Sequence, residues 1–152
     1  MAASAWAFYN KFKEYVGDGT IDLDNDVFLM GLYTSASNAA TDTLSTRGQI
    51  TNEVANGNGY ATGGKTLSAV TWASGASAGE MRFDCTAKIW SASGGTIPNV
   101  RYAVIYDNST GTSAGDRKIM CRSALSTAQF TVTDGNTLTV TPSANGIFEL
   151  NG

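Results

Sequence analysis

VRYAVIYD (residues 100–107) and DVFLMGLYT (residues 26–34) are the two stretches that decide the predicted fold. Each is apolar at consecutive positions, and successive side chains of a strand point to opposite faces of its sheet. A strand that is apolar on both faces must therefore be covered on both sides. We predict that these two stretches are the central strands of a sheet.

Outward from this centre, the run EMRFDCTAKIW (80–90) alternates in polarity. Met81, Phe83 and the alternate residues as far as Ile89 share one face, and polar residues share the other, which is typical of a half-buried antiparallel strand. Further strand-length runs bring the predicted strands to eight. They lie near residues 65–73, 117–123, 128–133, 137–142 and 146–150.

The segments on either side of Asp134 and Gly135 predict a hairpin. A three-residue loop with Gly135 in the left-handed region places Phe130 opposite Leu138 and keeps the apolar residues on one face. A two-residue loop does not, so we predict the longer one.

Closely spaced strands with no helix between them exclude a parallel βαβ architecture. We predict an all-β fold, an antiparallel β-sandwich of about eight strands, formed as a single domain by residues 18–152.

The segment SAWAFYNKFKEYV (4–16) differs from the rest of the chain because its apolar residues follow a helical period. Phe8, Phe12 and Tyr15 fall on one face of such a helix. Ser4 is its predicted N-cap and Gly17 its C′ residue. We predict a short amphipathic helix in an N-terminal arm, residues 1–17.

The aromatic face of this predicted helix must be buried against another surface. Trp6 falls outside the arc of Phe8, Phe12 and Tyr15, so a single docking surface would leave one large aromatic side chain exposed. We therefore predict an interface of Trp6, Phe8, Phe12 and Tyr15 with a neighbouring subunit or partner. Packing of the helix on its own domain is the alternative.

The composition excludes several classes of function. The 152 residues include no histidine, which rules out Ser-His-Asp and Cys-His catalysis and every metal site that needs histidine. The formal net charge is −3 with no basic run, so no nucleic-acid partner is expected. The longest apolar stretch, Val27 to Tyr33, is too short to cross a bilayer, so we expect a soluble protein without a membrane partner.

The chain has two cysteines, Cys85 and Cys121, and each falls within a strand-like run. For a protein made in a cytosol we predict two small buried thiols. A disulfide between them is the alternative.

Residues 59–66, GYATGGKT, match the phosphate-binding pattern G-x-x-x-x-G-K-[ST] completely. Asp107, after an apolar strand, imitates the acidic residue that holds Mg²⁺ in such proteins. The mechanism requires a strand before the glycines and a helix after them. Here residues 50–58 are polar and turn-rich, and residues 67–75 are typical of a strand. We interpret the match as a glycine-rich turn that enters a strand.

Asp22, Asp24 and Asp26 alternate like the first ligands of a calcium loop. The EF-hand pattern then requires glycine and glutamate where this chain has Val27 and Tyr33, so that motif fails. A looser calcium site built with carbonyl groups and a set of solvated acidic residues are both left open.

No other group stands out as a catalytic or binding site. Nothing local marks the acidic residues Glu53, Glu80 and Glu149 for glycoside chemistry. The aromatic residues of the strands could bind carbohydrate, but core or interface positions are the commoner use. They are Trp72, Trp90, Tyr60 and Tyr102. We predict no catalytic residues, no cofactor and no metal site.

Three separated segments carry a resemblance to a known family. They are Asn58 to Tyr60 continuing through Gly63 to Leu67, then Trp90-Ser91, then Ala103 to Asp107. They resemble the capsid decoration, or cement, proteins of tailed phages. Residues 12–35 also resemble the opening of that family, where a short helix and an acidic turn lead into a strand.

The resemblance implies a jelly-roll or related β-sandwich with Lys65 in a structural turn. It also implies a non-enzymatic virion protein that binds the outside of an assembled capsid, with the major capsid protein as partner and a homotrimer as its state. The protein would be made in the bacterial cytoplasm and reside on the capsid exterior. A tail or fibre module that binds a host glycan is the alternative, and an NTPase rests on the phosphate pattern alone.

Overall fold

The computed structural model describes residues 4–151, in which two long antiparallel strands cross the middle of the largest sheet. Within this range the chain forms eleven strands, one α-helix and one turn of 3-10 helix. In chain order they are β1 (Ala7–Phe8), α1 (Phe12–Gly17), β2 (Phe28–Thr34), a 3-10 turn (Arg47–Gln49), β3 (Lys65–Thr66), β4 (Thr71–Ser74), β5 (Met81–Asp84), β6 (Lys88–Ser91), β7 (Ile97–Asp107), β8 (Ile119–Ala124), β9 (Phe130–Val132), β10 (Thr137–Val140) and β11 (Phe148–Leu150).

All pairings between these strands are antiparallel. The largest sheet has the order β1-β8-β7-β2-β3, with β9 paired to the first part of β7. A three-stranded sheet has the order β11-β5-β4, and β10 pairs with β6 in a third. The predicted all-β, antiparallel fold is confirmed.

The central position predicted for β2 and β7 is also confirmed, because both faces of these strands are buried. Phe28, Met30 and Leu32 of β2 point into the main core, while Tyr33 on the opposite face belongs to a second cluster. Alternation along an extended strand produces this division. The second cluster is covered by the connection between β2 and β3, which contributes Ile50.

Aromatic rings join the largest sheet to the three-stranded sheet. The ring of Phe28 meets that of Phe83 edge-on at 5.1 Å, and Phe83 stacks on Phe148 at 5.1 Å. Such ring pairs add stabilisation beyond the apolar area that they bury. The main core therefore lies between β2 and strands β5 and β11.

The prediction of one strand over 80–90 is wrong. The chain is irregular at 85–87, and the segments on either side pair in different sheets. The break also reverses the alternation, since Lys88 is buried while Ile89 is 49% exposed. The run 65–73 is likewise divided, between β3 and β4.

The predicted hairpin is wrong as well. β9 pairs with β7 whereas β10 pairs with β6, so Leu138 lies opposite Trp90 rather than Phe130. Gly135 does adopt the predicted left-handed conformation, with φ of +81°. Its turn carries the chain from one sheet to another because each strand finds a longer-range partner.

The predicted helix over 4–16 is wrong in its first half. Ala7 and Phe8 form a strand that pairs with β8, and the helix extends only from Phe12 to Gly17. Ser4 is not an N-cap, because its amide donates to the carbonyl of Ala124 at 2.8 Å. Pairing with a sheet edge satisfies backbone groups that an isolated helix end would leave open.

Candidate functional site

The four aromatic residues of the predicted interface occupy different environments. Phe12 is only 1% exposed, and its ring lies 5.0 Å from that of Phe8 and 5.5 Å from that of Phe148. It is a core residue of its own chain, so the interface prediction is wrong for Phe12. Trp6, Phe8 and Tyr15 also contact the core but keep partial exposure.

Trp6 borders a surface groove with a volume of about 590 Å³. The other walls include the apolar side chains of Leu125, Phe130 and Leu138. A partly exposed tryptophan beside such side chains is a composition typical of protein interfaces.

The glycine-rich turn that matches the phosphate pattern is organised by one carboxylate. Oε1 of Glu53 accepts hydrogen bonds from the amide of Gly63 at 2.6 Å and from the hydroxyl of Tyr60 at 2.7 Å. Its Oε2 pairs with Nη2 of Arg47 at 2.7 Å, and both side chains are only about 15% exposed or less. The amide of Gly63 therefore donates to the side chain of Glu53 rather than to a phosphate.

Tyrosine hydroxyls extend this network into the sheet. The hydroxyl of Tyr60 accepts from the amide of Leu32 at 2.9 Å, and Tyr106 donates to the carbonyl of Gly63. Burial, reinforced by the charge of Glu53, raises the pKa of Tyr60 far above its usual range. The phenol therefore stays protonated and continues to donate.

Lys65, the lysine of the phosphate pattern, points to another partner. Its Nζ donates to the carbonyl of Ile89 at 2.6 Å and lies 6.0 Å from the ring centre of Trp90. Lys65 also begins β3, where it pairs with Met30, so a strand occupies the place of the required helix. The sequence interpretation, a glycine-rich turn that enters a strand, is confirmed.

The acidic segment forms a closed turn. Asp22 Oδ1 accepts from the amides of Asp24 at 3.0 Å and Asn25 at 3.2 Å, and hydrogen bonding from Asn25 lowers its pKa. Oδ2 of Asp26 accepts from the amide of Asp22 at 2.7 Å. The carboxylates of Asp22 and Asp26 therefore close the turn by accepting its backbone amides.

Asp107 is fully buried at the end of β7. Burial raises the pKa of its carboxyl to about 7, and the neighbouring carboxyl of Asp26 acts in the same direction. The sequence pattern suggested Asp107 only as a possible magnesium ligand beside a nucleotide. Nothing in that pattern indicates that Asp107 lies next to Asp26.

The four strand aromatics considered for carbohydrate binding do not form one surface. Trp90 and Tyr60 are buried, at 0% and 3% exposure, while Trp72 and Tyr102 pack at the edges of different clusters. The core alternative is confirmed for Trp90 and Tyr60. Glu53, unmarked in the sequence, is engaged by Arg47 as described above.

Both cysteines carry free, buried thiols, so the preferred prediction is confirmed and the disulfide alternative is wrong. Burial raises the pKa of the Cys85 thiol to about 11.

No protein-family model, curated protein or solved structure matches this chain. Within residues 4–151, no helix combines the length and apolarity needed to cross a membrane.

Proposed function

We propose that this chain is a non-enzymatic structural protein of a tailed-phage virion, a decoration protein that binds the outer capsid surface and stabilises the head. The observation that carries the proposal is spatial. The three segments on which the family resemblance rests are far apart in the sequence, yet they contact one another in the fold.

The first contact joins the glycine-rich turn to the segment around Trp90. Nδ2 of Asn58 donates to the carbonyl of Thr96 at 2.8 Å, and the amide of Ser93 donates to the carbonyl of Asn58 at 3.2 Å. A Cβ on Gly59 would overlap the carbonyl oxygen of Ser91, closer than real Cβ atoms approach. Only glycine fits here.

The second contact joins the same turn to the central strand. Tyr106, in the third segment, donates to the carbonyl of Gly63, and Lys65 bridges from the turn to Ile89 beside Trp90. The shared residues thus form one packed unit around the turn. This favours a common fold with the decoration family over chance matches in three separate places.

We propose a jelly-roll or related β-sandwich as that common fold. It is supported by the five connections within residues 4–151 that pass from one sheet to another, which are β3 to β4, β5 to β6, β6 to β7, β9 to β10 and β10 to β11. Such crossings are a feature of sandwiches built from Greek-key connections.

The proposed partner is the major capsid protein, bound by a homotrimer of this chain on the capsid exterior. Trp6 and the groove beside it are the proposed contact, because they combine partial exposure with an apolar surface. A formal net charge of −3 also disfavours competition for the packaged DNA.

The experiment is co-sedimentation of the purified chain with capsids of its phage that lack it, followed by cryo-electron microscopy. We expect density on the capsid surface, a mass in sedimentation equilibrium of three times 15.9 kDa, and loss of binding in Trp6→Ala. Trp72→Ala is the matched control, because Trp72 is also partly exposed but lies away from the groove. Density at the tail tip would favour the glycan-binding alternative, and a monomer would refute the trimer.

A further inference from the structure

The carboxylate of Asp107 is buried with one oxygen unsatisfied. Its Oδ1 accepts the amide of Ser109 at 2.6 Å, whereas its Oδ2 has neither a hydrogen-bond partner nor contact with solvent. A buried charge without a partner is strongly unfavourable, so a proton or a cation must compensate it.

Asp26 is held beside this carboxylate by the backbone. The amide of Asn108 donates to the carbonyl of Val27 at 2.7 Å, and the amide of Val27 donates to Oγ of Ser109 at 2.8 Å. These two bonds fasten the residue after Asp26 to the two residues after Asp107. As a result the carboxyl of Asp26 lies close enough to that of Asp107 to raise the pKa of Asp107.

Lys118 is the basic residue whose backbone pairs with that of Asp107, but its side chain contacts another residue. The amide of Asp107 donates to the carbonyl of Lys118 at 2.8 Å, but the Lys118 ammonium lies over the ring of Tyr15, 5.6 Å from its centre. Among the described residues, neither Asp107 nor Asp26 forms a salt bridge with a lysine or arginine.

We propose that Asp26 and Asp107 bind a divalent cation of the calcium type. Calcium takes oxygen ligands from carboxylates, amide carbonyls and water in a flexible geometry. Oδ1 of Asn108, the next residue, is also buried without a partner and offers a neutral oxygen.

Neutral oxygens are required in this site. Within residues 4–151, no group of three or more acidic or cysteine side chains is arranged to hold a metal ion. Two carboxylates completed by amide, carbonyl and water oxygens suit Ca²⁺ better than a transition metal, which prefers nitrogen or sulfur ligands.

The test is thermal unfolding of the full chain at about pH 8, above the pKa of Asp107, in EDTA and then with calcium chloride. We expect Tm to rise by about 5 °C or more once free calcium exceeds Kd about a hundredfold. Asp107→Asn should abolish this shift. Asp24→Asn is the matched control and should retain it, because Asp24 belongs to the same acidic turn but is exposed.

Calorimetric titration of the wild-type chain with calcium chloride keeps the proposal testable if Asp107→Asn does not fold. We expect one saturable site per chain, with magnesium chloride binding at least tenfold more weakly. The proposal is overturned if about 10 mM calcium, above the Kd range of weak extracellular calcium modules, neither shifts Tm nor gives binding heat. An equal shift in wild type and Asp107→Asn would also overturn it, and a proton shared by the pair would then explain the buried carboxyl.

Discussion

Replacing Gly64 by alanine tests whether the glycine-rich turn is a structural element of the core. Gly64 has φ of +74°, and a Cβ there would lie 2.5 Å from the carbonyl carbon of Met30 and 2.7 Å from Cα of Gly31. These are backbone atoms of the central strand β2. Neither can move without disturbing the pairing with β7.

The expected cost has two parts. The left-handed conformation costs alanine about 1–2 kcal/mol, and forcing an extra methyl group into a packed site costs about 1–3 kcal/mol. Gly64→Ala should therefore lower the free energy of unfolding by about 2–5 kcal/mol, which for a chain of this size lowers Tm by about 4–20 °C.

Gly135→Ala is the matched control, because Gly135 has φ of +81° and a Cβ added there would meet no atom within 4 Å. It should show the conformational cost alone, about 1–2 kcal/mol. Chemical denaturation of both variants, monitored by circular dichroism, measures the difference. If Gly64→Ala is no more destabilising than Gly135→Ala, the close approach of the turn to β2 is not a determinant of stability and the reasoning fails.

Three further predictions follow from side chains described above. Lys65→Ala should lower the free energy of unfolding by less than about 1.5 kcal/mol, since it removes one hydrogen bond and one cation–π contact. Calorimetry should find no ATP binding in either form, and micromolar binding that is lost in the variant would restore the nucleotide hypothesis. Phe12→Ala should lower the free energy of unfolding by about 3–5 kcal/mol, measured by thermal or chemical unfolding, because it leaves a cavity in the core. An unchanged stability would instead support the interface prediction for Phe12. Cys85, with a pKa of about 11, should be only ~1% thiolate at pH 9, so a thiol reagent should label it rapidly only after denaturation, and rapid labelling of the folded chain would contradict its burial.

The parts of the fold that the sequence predicts are those set by local pattern. The two-sided apolarity of β2 and β7 is visible in a window of nine residues, and it correctly implies a buried central position. The glycine-rich turn is equally local, because the flanking polarity alone argues against a phosphate site.

The errors all come from partners distant in the chain. The alternation of residues 80–90 continues across the break at 85–87, but β5 pairs with the distant strand β11 and β6 with the distant strand β10, in different sheets. The aromatic spacing of residues 8–15 fits a helix as well as it fits a strand followed by a helical turn. Only pairing with β8 distinguishes these alternatives.

The candidate sites were harder to predict for the same reason. Glu53 has no motif around it, and its role exists only because Arg47, Tyr60 and Gly63 converge on its two oxygens. Asp107 lies near Asp26 because it pairs with Phe28, two residues after Asp26, in a strand register that no spacing in the sequence encodes.

The pairing of β1 with β8 imposes an order on folding during synthesis. Oγ of Ser4 accepts the amide of Ala124, a residue 120 positions later in the chain. A ribosome therefore releases the first strand long before the strand that receives it, and contacts so distant in sequence form slowly. Until β8 emerges, Phe8 and Phe12 lack part of their final surroundings, and nascent chains stalled before that point should be the species most prone to aggregate.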